Sequence, residues 1–344
     1  MFATTNMYLD YSKRASDEEV FEMQPGLSHF VAFQMPDPKE VTLNSFLTPP
    51  SPSPSMFSDI WDHYHVRMPC SSHSTYTHTS LMGTSIKKSR WEKICKVLSS
   101  PIPDSYAMET AILAYFPGRP FDVLHAFFEE HASVSERELF FSKILPGIVN
   151  LALKLPHICT RPLPYLKQNV PYSVTLSQLQ ASSLLANAFL CTFPPRFPSY
   201  PNINFNSLFS GSCFCSRIHA AKFRCIFEYF FRCLNDVLGG TLSYTRSCSV
   251  AGHDWRRSEV KLRNIDMRVR GTIEDDGIAM RQVDFANCVI GGGVLSNGAV
   301  QEEIRFMICP ELILSRLFTE RLLDHEALLV TGGYEGMNIR GTRV

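Results

Sequence analysis

Apolar residues follow two different rhythms along this chain, and the rhythm changes near residue 222. Upstream it is helical. Trp91, Ile94, Cys95 and Leu98 have the spacing of one buried helix face. Phe121 to Glu130 repeats it with Leu124, Phe127 and Phe128. Glu138 to Leu155 carries it through Leu139, Phe140, Ile144, Ile148, Leu151, Ala152 and Leu155, and Pro146 is expected to bend or break that helix. Ser177 suits an N-cap for the apolar stretch from Leu179 through Leu184 and Leu185 to Phe189. Pro194, Pro195, Pro198 and Pro201 close the region. These stripes predict an all-α domain whose apolar faces are core.

Downstream, helical and strand-like patterns alternate. Phe223 to Leu234 predicts a helix, and Gly239-Gly240 introduces a strand from Thr241 to Arg246. Ile265, Met267, Val269, Gly271 and Ile273 alternate with Asp266, Arg268, Arg270 and Thr272, a period of two that predicts a strand. Glu274-Asp275-Asp276-Gly277 is turn chemistry. Met280 to Ile290 predicts a further strand. A helix from near Val300 to Pro310, a second from Glu311 to Leu322 and a strand from Ala327 to Thr331 follow. Strands alternating with helices imply an α/β domain with a mixed sheet. The expected organisation is α+β multidomain: an unstructured tail over 1–57, a helical accessory domain over 58–221 and an α/β domain over 222–344. The tail rests on Pro49-Pro50-Ser51-Pro52-Ser53-Pro54-Ser55, which sustains neither a helix nor a central strand.

The 344 residues are 45% hydrophobic and 19% charged, as in an ordinary globular protein. Lys+Arg and Asp+Glu are equal at 33 each, so no overall basic field draws the chain to DNA or an anionic membrane. Asp10, Lys13, Arg14, Asp17, Glu18 and Glu19 interrupt any signal-peptide core. The expected compartment is the nucleus or cytoplasm, without secretion. Eleven scattered cysteines then read as free thiols. Cys213-Phe-Cys215, Cys225 and Cys233 cluster, but a single residue between the first two suits zinc poorly. Lys87-Lys88-Ser89-Arg90 reads as a solvated face before a helix. No metal and no cofactor are expected.

The chemistry gathers between Val283 and Phe318. A strand-like run ends in Gly291-Gly292-Gly293, seven residues follow, and Gln301-Glu302-Glu303 opens a helix. Contiguous glycines leave backbone N–H groups unshielded, and a helix N-terminus close by suits an anion. A tight strand-to-helix turn with solvated first-turn glutamates would leave the same pattern. A Rossmann reading is weaker, because the glycines are contiguous and the helix starts late.

This stretch resembles the signature of the poly(ADP-ribose) glycohydrolases of animals: a triple glycine, a short spacer, then Gln-Glu-Glu. Leu151 to Pro156, Leu184 to Phe189 and Tyr200 to Phe205 look like that family's helical region, and the likeness covers about residues 60 to 332. The resemblance implies a macrodomain with an ADP-ribose cleft at strand ends. It implies hydrolysis of ribose–ribose O-glycosidic bonds, with Glu303 as general acid and then base and Glu302 holding ribose hydroxyls. It implies that Gly291, Gly292 and Gly293 accept the diphosphate, that Asp284 and Asn287 meet the ribose near the scissile bond, and that Gln301 is a further contact. Ile273 and Glu274 match the segment that meets adenine. An acid at neutral pH needs burial or a neighbouring negative charge to raise its pKa. The expected partners are poly(ADP-ribose) and poly(ADP-ribosyl)ated proteins, met by a monomer in the DNA damage response. After Val330-Thr331-Gly332 the family continues with a second phosphate-side loop, a loop tyrosine and a phenylalanine, which Gly333 to Val344 do not resemble. The macrodomain is therefore expected to be incomplete. The alternative to an active glycohydrolase is a catalytically impaired relative that binds ADP-ribose or acts as a regulatory protein.

Overall fold

The computed structural model describes residues 2–5, 28–33, 56–79, 85–211, 215–236, 238–249, 255–261, 264–265, 267–273, 277 and 280–332. Six strands form one mixed sheet. They are β1 (Phe2–Thr5), β2 (Ser28–Val31), β5 (Tyr172–Ser177), β6 (Thr241–Cys248), β7 (Arg281–Asp284) and β8 (Glu326–Thr331), in the order β2-β5-β6-β8-β1-β7. The pairs β2–β5 and β1–β8 are parallel, and the other neighbours are antiparallel. A separate hairpin joins β3 (Thr75–Thr79) to β4 (Ser85–Ser89). Two short strands therefore lie within 1–57, where the sequence predicted only a tail; their partners are more than a hundred residues away in the chain, a pairing that no local pattern announces.

The helices are α1 (Arg90–Leu98), α2 (Ser105–Tyr115), α3 (Asp122–Ala126), α4 (Val134–Leu139), α5 (Leu145–Leu153), α6 (Leu155–Ile158), α7 (Gln178–Phe189), α8 (Asn206–Phe209), α9 (Arg217–Asn235), α10 (Gln301–Ile308) and α11 (Ser315–Phe318). Ser177 caps α7 as expected: its hydroxyl accepts the Gln180 N–H, and Gln180 answers by accepting the Ser177 N–H. From Gln180 to Phe189 every side chain of α7 is buried, the mark of a helix packed on all sides. Pro146 does not break its helix. It sits in the first turn of α5, and the π-helical turn Phe140–Ile144 before it lets the Leu145 N–H reach the Phe140 carbonyl. Arg90 is no part of a solvated face: its guanidinium is buried on the carbonyls of Tyr115, Thr192 and Cys191.

One hydrophobic core runs from Ala32 to Val330 and joins the helices to the sheet. Phe127, Phe128, Phe140, Phe189 and Phe227 interlock at its centre, with the Phe140 and Phe227 rings 4.1 Å apart. Each such side chain contributes about 1.5–3 kcal/mol by leaving water. The expected boundary at 221/222 falls inside α9, and β5 from the helical stretch is a strand of the sheet. Between β6 and β8, Arg246 and Glu326 form a fully buried ion pair. Arg246 also donates to the Leu166 and Glu320 carbonyls, and Glu326 accepts the N–H groups of Asn169 and Leu323, so the pair ties two loops to the sheet.

The predicted strand over 265–273 is not formed among its described residues, 265 and 267–273. Ile265, Met267 and Val269 are more than 80% exposed, and alternation makes a strand only where a partner edge and a covering face receive it. Of the predicted strand Met280 to Ile290, only β7 pairs; the rest leads into the glycine loop. The predicted helix over Glu311 to Leu322 is a 3-10 turn (Pro310–Leu314) followed by α11.

Candidate active site

Asp284 ends β7 at the sheet's edge, and α10 begins opposite it. Between them the chain turns through the glycines, with Gly291 at φ +76 and Gly292 at φ +44, the left-handed region that favours glycine. Space forbids a side chain there too. A Cβ on Gly291 would stand 3.0 Å from the Phe306 ring, and one on Gly292 would stand 3.0 Å from a Glu302 carboxylate oxygen.

Glu302 and Glu303 are adjacent in the first turn of α10, so they point differently. Glu302 accepts the N–H groups of Gly291 at 2.7 Å and Asn287 at 3.0 Å. Glu303 accepts those of Gly293 at 2.8 Å and Val300 at 2.9 Å. The Val300 bond is half a capping box, since valine has no oxygen to return it. The Gly292 N–H goes to the Val289 carbonyl. All three glycine N–H groups expected to receive a diphosphate are thus engaged within the chain. Gln301 accepts the Phe285 N–H at 2.8 Å and fastens the end of β7 to α10.

The carbonyls of the same loop face two buried cations that the sequence analysis missed. Lys222 of α9 donates to Gly293, Val294 and Ser296 at 3.3, 2.9 and 2.7 Å. Arg316 of α11 donates to Ile290 and Gly292 at 2.6 and 3.1 Å, and to Asn202. His219, one turn before Lys222, meets the Asn297 side chain at 2.9 Å. A signal for Lys222 was present: it occupies the helix stripe made by His219, Phe223, Ile226 and Phe230, all buried. A lysine at a core position of an amphipathic helix has something to bind.

The two glutamates differ in charge. Burial lifts Glu302 to about 7, reinforced by the negative charges of Asp284 and Glu303 and opposed by its two backbone bonds. Burial also acts upward on Glu303, but the N–H groups of Gly293 and Val300 and the Lys222 ammonium outweigh it and hold that carboxylate below its ordinary value. The push that an acid requires therefore falls on Glu302, and Glu303 is held ionised. Burial takes Asp284 to about 6 against the nearby Arg305. Both Asp284 carboxylate oxygens are buried without a hydrogen-bond partner among the described residues. Burial lowers Lys222 to about 8 and Arg316 to about 10, each opposed by glutamate charge.

Beside the carboxylates lies a cavity of about 300 Å³ lined by Ile273, Gln282, Val283, Asp284, Gln301, Ile304 and Arg305. The structure thus brings Ile273, Asp284 and Gln301 together around this cavity, while Glu302, Glu303 and the three glycines do not line it. Asn287 reaches the group through its backbone and leaves its side chain exposed. Glu274 lies outside the described residues. A larger cavity of about 550 Å³, between Ser99–Pro103 and α5, shares no residue with the carboxylates. Among the described residues there is no cluster of His, Cys, Asp and Glu suited to a metal, and no helix is long and apolar enough to cross a membrane. A carboxyl that titrates near neutral pH beside one held ionised can act as proton donor and acceptor.

Two models of one family match the chain: the poly(ADP-ribose) glycohydrolase helical domain over residues 132–246 and that family's macro domain fold over 252–342. The chain is 36% identical over 225 residues to poly(ADP-ribose) glycohydrolase 1 of Arabidopsis thaliana, covering 60% of this chain and 41% of that protein. It is 31% identical over 245 residues to a probable poly(ADP-ribose) glycohydrolase 2 of the same plant, covering 61% and 47%. To poly(ADP-ribose) glycohydrolase 1 of Caenorhabditis elegans it is 32% identical over 166 residues, covering 47% and 20%. The chain spans less than half the length of these curated relatives.

Proposed function

The chain belongs to the poly(ADP-ribose) glycohydrolase family, and from that premise we propose that it hydrolyses the ribose–ribose O-glycosidic bonds of poly(ADP-ribose) and releases ADP-ribose. The observation that carries the reading is the pair Glu302 and Glu303, pinned by glycine N–H groups and shifted in opposite pKa directions, on the helix whose Gln301, Ile304 and Arg305 line a cavity together with Asp284.

Cleavage of such a bond requires a proton for the leaving ribose oxygen and a water for the anomeric carbon, through an oxocarbenium-like state. Glu303 takes the acid and base role in this proposal, at the position the family motif gives it, and Glu302 holds ribose hydroxyls. Near pH 7 Glu302 is close to its midpoint, so the proton it shares belongs to the coupled pair as a whole. Substrate oxygens entering between the carboxyls redistribute it, and the positive charge developing on the oxocarbenium-like ribose is met by the ionised partner. The test is release of ADP-ribose from automodified polymer by this 344-residue chain. Absence of release from the folded chain would refute the proposal.

A second reading, a relative that binds ADP-ribose without turning it over, is favoured by Glu303 being held ionised by two backbone donors and a lysine. Calorimetric binding of ADP-ribose without cleavage would select it.

A further inference from the structure

We propose that Lys222, supplied by α9, is a positioning residue of the reaction site: its ammonium gathers the carbonyls of Gly293, Val294 and Ser296, and the loop so held presents the N–H groups that aim Glu303. The inference rests on the glycohydrolase reading above and adds to it a residue from outside the glycine–glutamate motif.

An ammonium carries three N–H donors arranged as a tripod. Three carbonyls of one short loop converge on it, an arrangement a planar guanidinium would not match. Lys222 is 4% exposed, and all three of its hydrogen bonds go to main-chain oxygens. Burying a charge is costly unless the surroundings compensate, and here the loop's carbonyl dipoles and the charge of Glu303 do so. The loop is held from both sides. Its Gly293 carbonyl meets Lys222, and its Gly293 N–H meets Glu303, so the peptide groups flanking one residue link the cation to the carboxylate. Arg316 does the same one step earlier, through the Ile290 and Gly292 carbonyls. The groups whose charge bears on Glu303 are Lys222 on α9, Glu302 on α10, Asp284 on β7 and Arg316 on α11. Among the cations in that set, Lys222 is the one that lowers the Glu303 pKa through the largest charge effect.

The experiment compares wild type, Lys222→Met and Lys222→Arg. Methionine keeps the stem's bulk and removes both charge and donors; arginine keeps the charge and misfits the tripod. The first readout is the carboxyl carbon titration of Glu303 by NMR, assigned with Glu303→Gln. The second is steady-state release of ADP-ribose. The expected result is a Glu303 titration moved to higher pH in Lys222→Met, with kcat down about 10–100-fold and KM within a few-fold, as for misplacement of a reacting group. Lys222→Arg should return the titration most of the way while restoring kcat only in part. An unchanged Glu303 titration in folded Lys222→Met would overturn the proposal. So would equal losses of kcat in the two variants that simply track their melting temperatures. A wild-type chain that releases no ADP-ribose refutes the activity itself, and the carboxyl titration then decides the case of Lys222 alone.

Discussion

Replacing Gly292 with alanine should disable the site while leaving the chain folded. The added Cβ would stand 3.0 Å from Glu302 Oε2 and closer still to Glu303 Oε1, so one methyl presses on both carboxylates. The backbone there has φ +44, and a left-handed conformation costs an L residue about 1–2 kcal/mol. If one carboxylate yields, a charge-assisted hydrogen bond weakens, which costs about 1.5–3 kcal/mol. Together these stay near or below about 5 kcal/mol, within the 5–15 kcal/mol of a typical fold, so unfolding should shift without becoming complete. Activity should fall more steeply, by about 10–100-fold, because displacement of a reacting group by about 1 Å has that effect. Two controls isolate the cause. At Gly298 a Cβ would meet Glu303 Oε1 at 2.6 Å and the Gly293 backbone at 2.8 Å, with no Glu302 atom among its nearest neighbours; at Gly118 the nearest atom is 3.9 Å away. Gly118→Ala should behave as wild type, and Gly298→Ala should lose activity with Glu302 titrating as before. The assay pairs a urea unfolding curve with ADP-ribose release. Wild-type turnover by Gly292→Ala would refute the placement of both carboxylates.

Three further outcomes are expected. Glu303→Gln keeps the side chain's shape and cannot transfer a proton, so cleavage should fall by about 10²–10⁴-fold while calorimetry finds ADP-ribose binding largely spared. Glu302 has a folded pKa of about 7 against an ordinary 4.5, so the stability its neutral form contributes is complete below about pH 4.5 and is lost as pH rises through about 7. Glu302→Gln, which mimics the neutral acid, should therefore gain on wild type in urea over that window, and parallel pH curves would contradict the assignment. Arg246→Met should cost about 3–5 kcal/mol by stranding Glu326 in the core, and Arg246→Met with Glu326→Leu should recover much of it; a mild single variant would show the pair to be dispensable.

What the sequence disclosed was what depends on near neighbours. Ser177 announced α7, because a cap and its helix lie within four residues. The glycines and Gln301-Glu302-Glu303 announced the site because the motif is contiguous. The strand expected over 265–273 failed for the opposite reason: alternation is local, while a pairing edge is not. The charge of Glu303 was not legible in the sequence, on the same grounds. Its surroundings are set by Lys222, some eighty positions earlier in the chain, and by a loop whose N–H groups had been assigned to phosphate. Lys222 itself fell just before the helix expected from Phe223 to Leu234, although a basic residue in an apolar stripe was there to be noticed.

The sheet's wiring bears on how the chain is made. β5 and β6 leave the ribosome as neighbours in one sheet, but the other edge of β6 pairs with β8, which is synthesised more than seventy residues later. At ordinary translation speeds that gap lasts on the order of ten seconds. Throughout it β6 offers an open row of N–H and C=O groups, the template on which strands from other chains add. Arg246 is part of that edge, a cation bound for the core whose counterion, Glu326, does not yet exist. The helical core, rich in local contacts, can close early and cannot cover this gap. Dependence on chaperones should thus peak late in synthesis, and slow codons between β6 and β8 should lower soluble yield more than the same codons placed before β5.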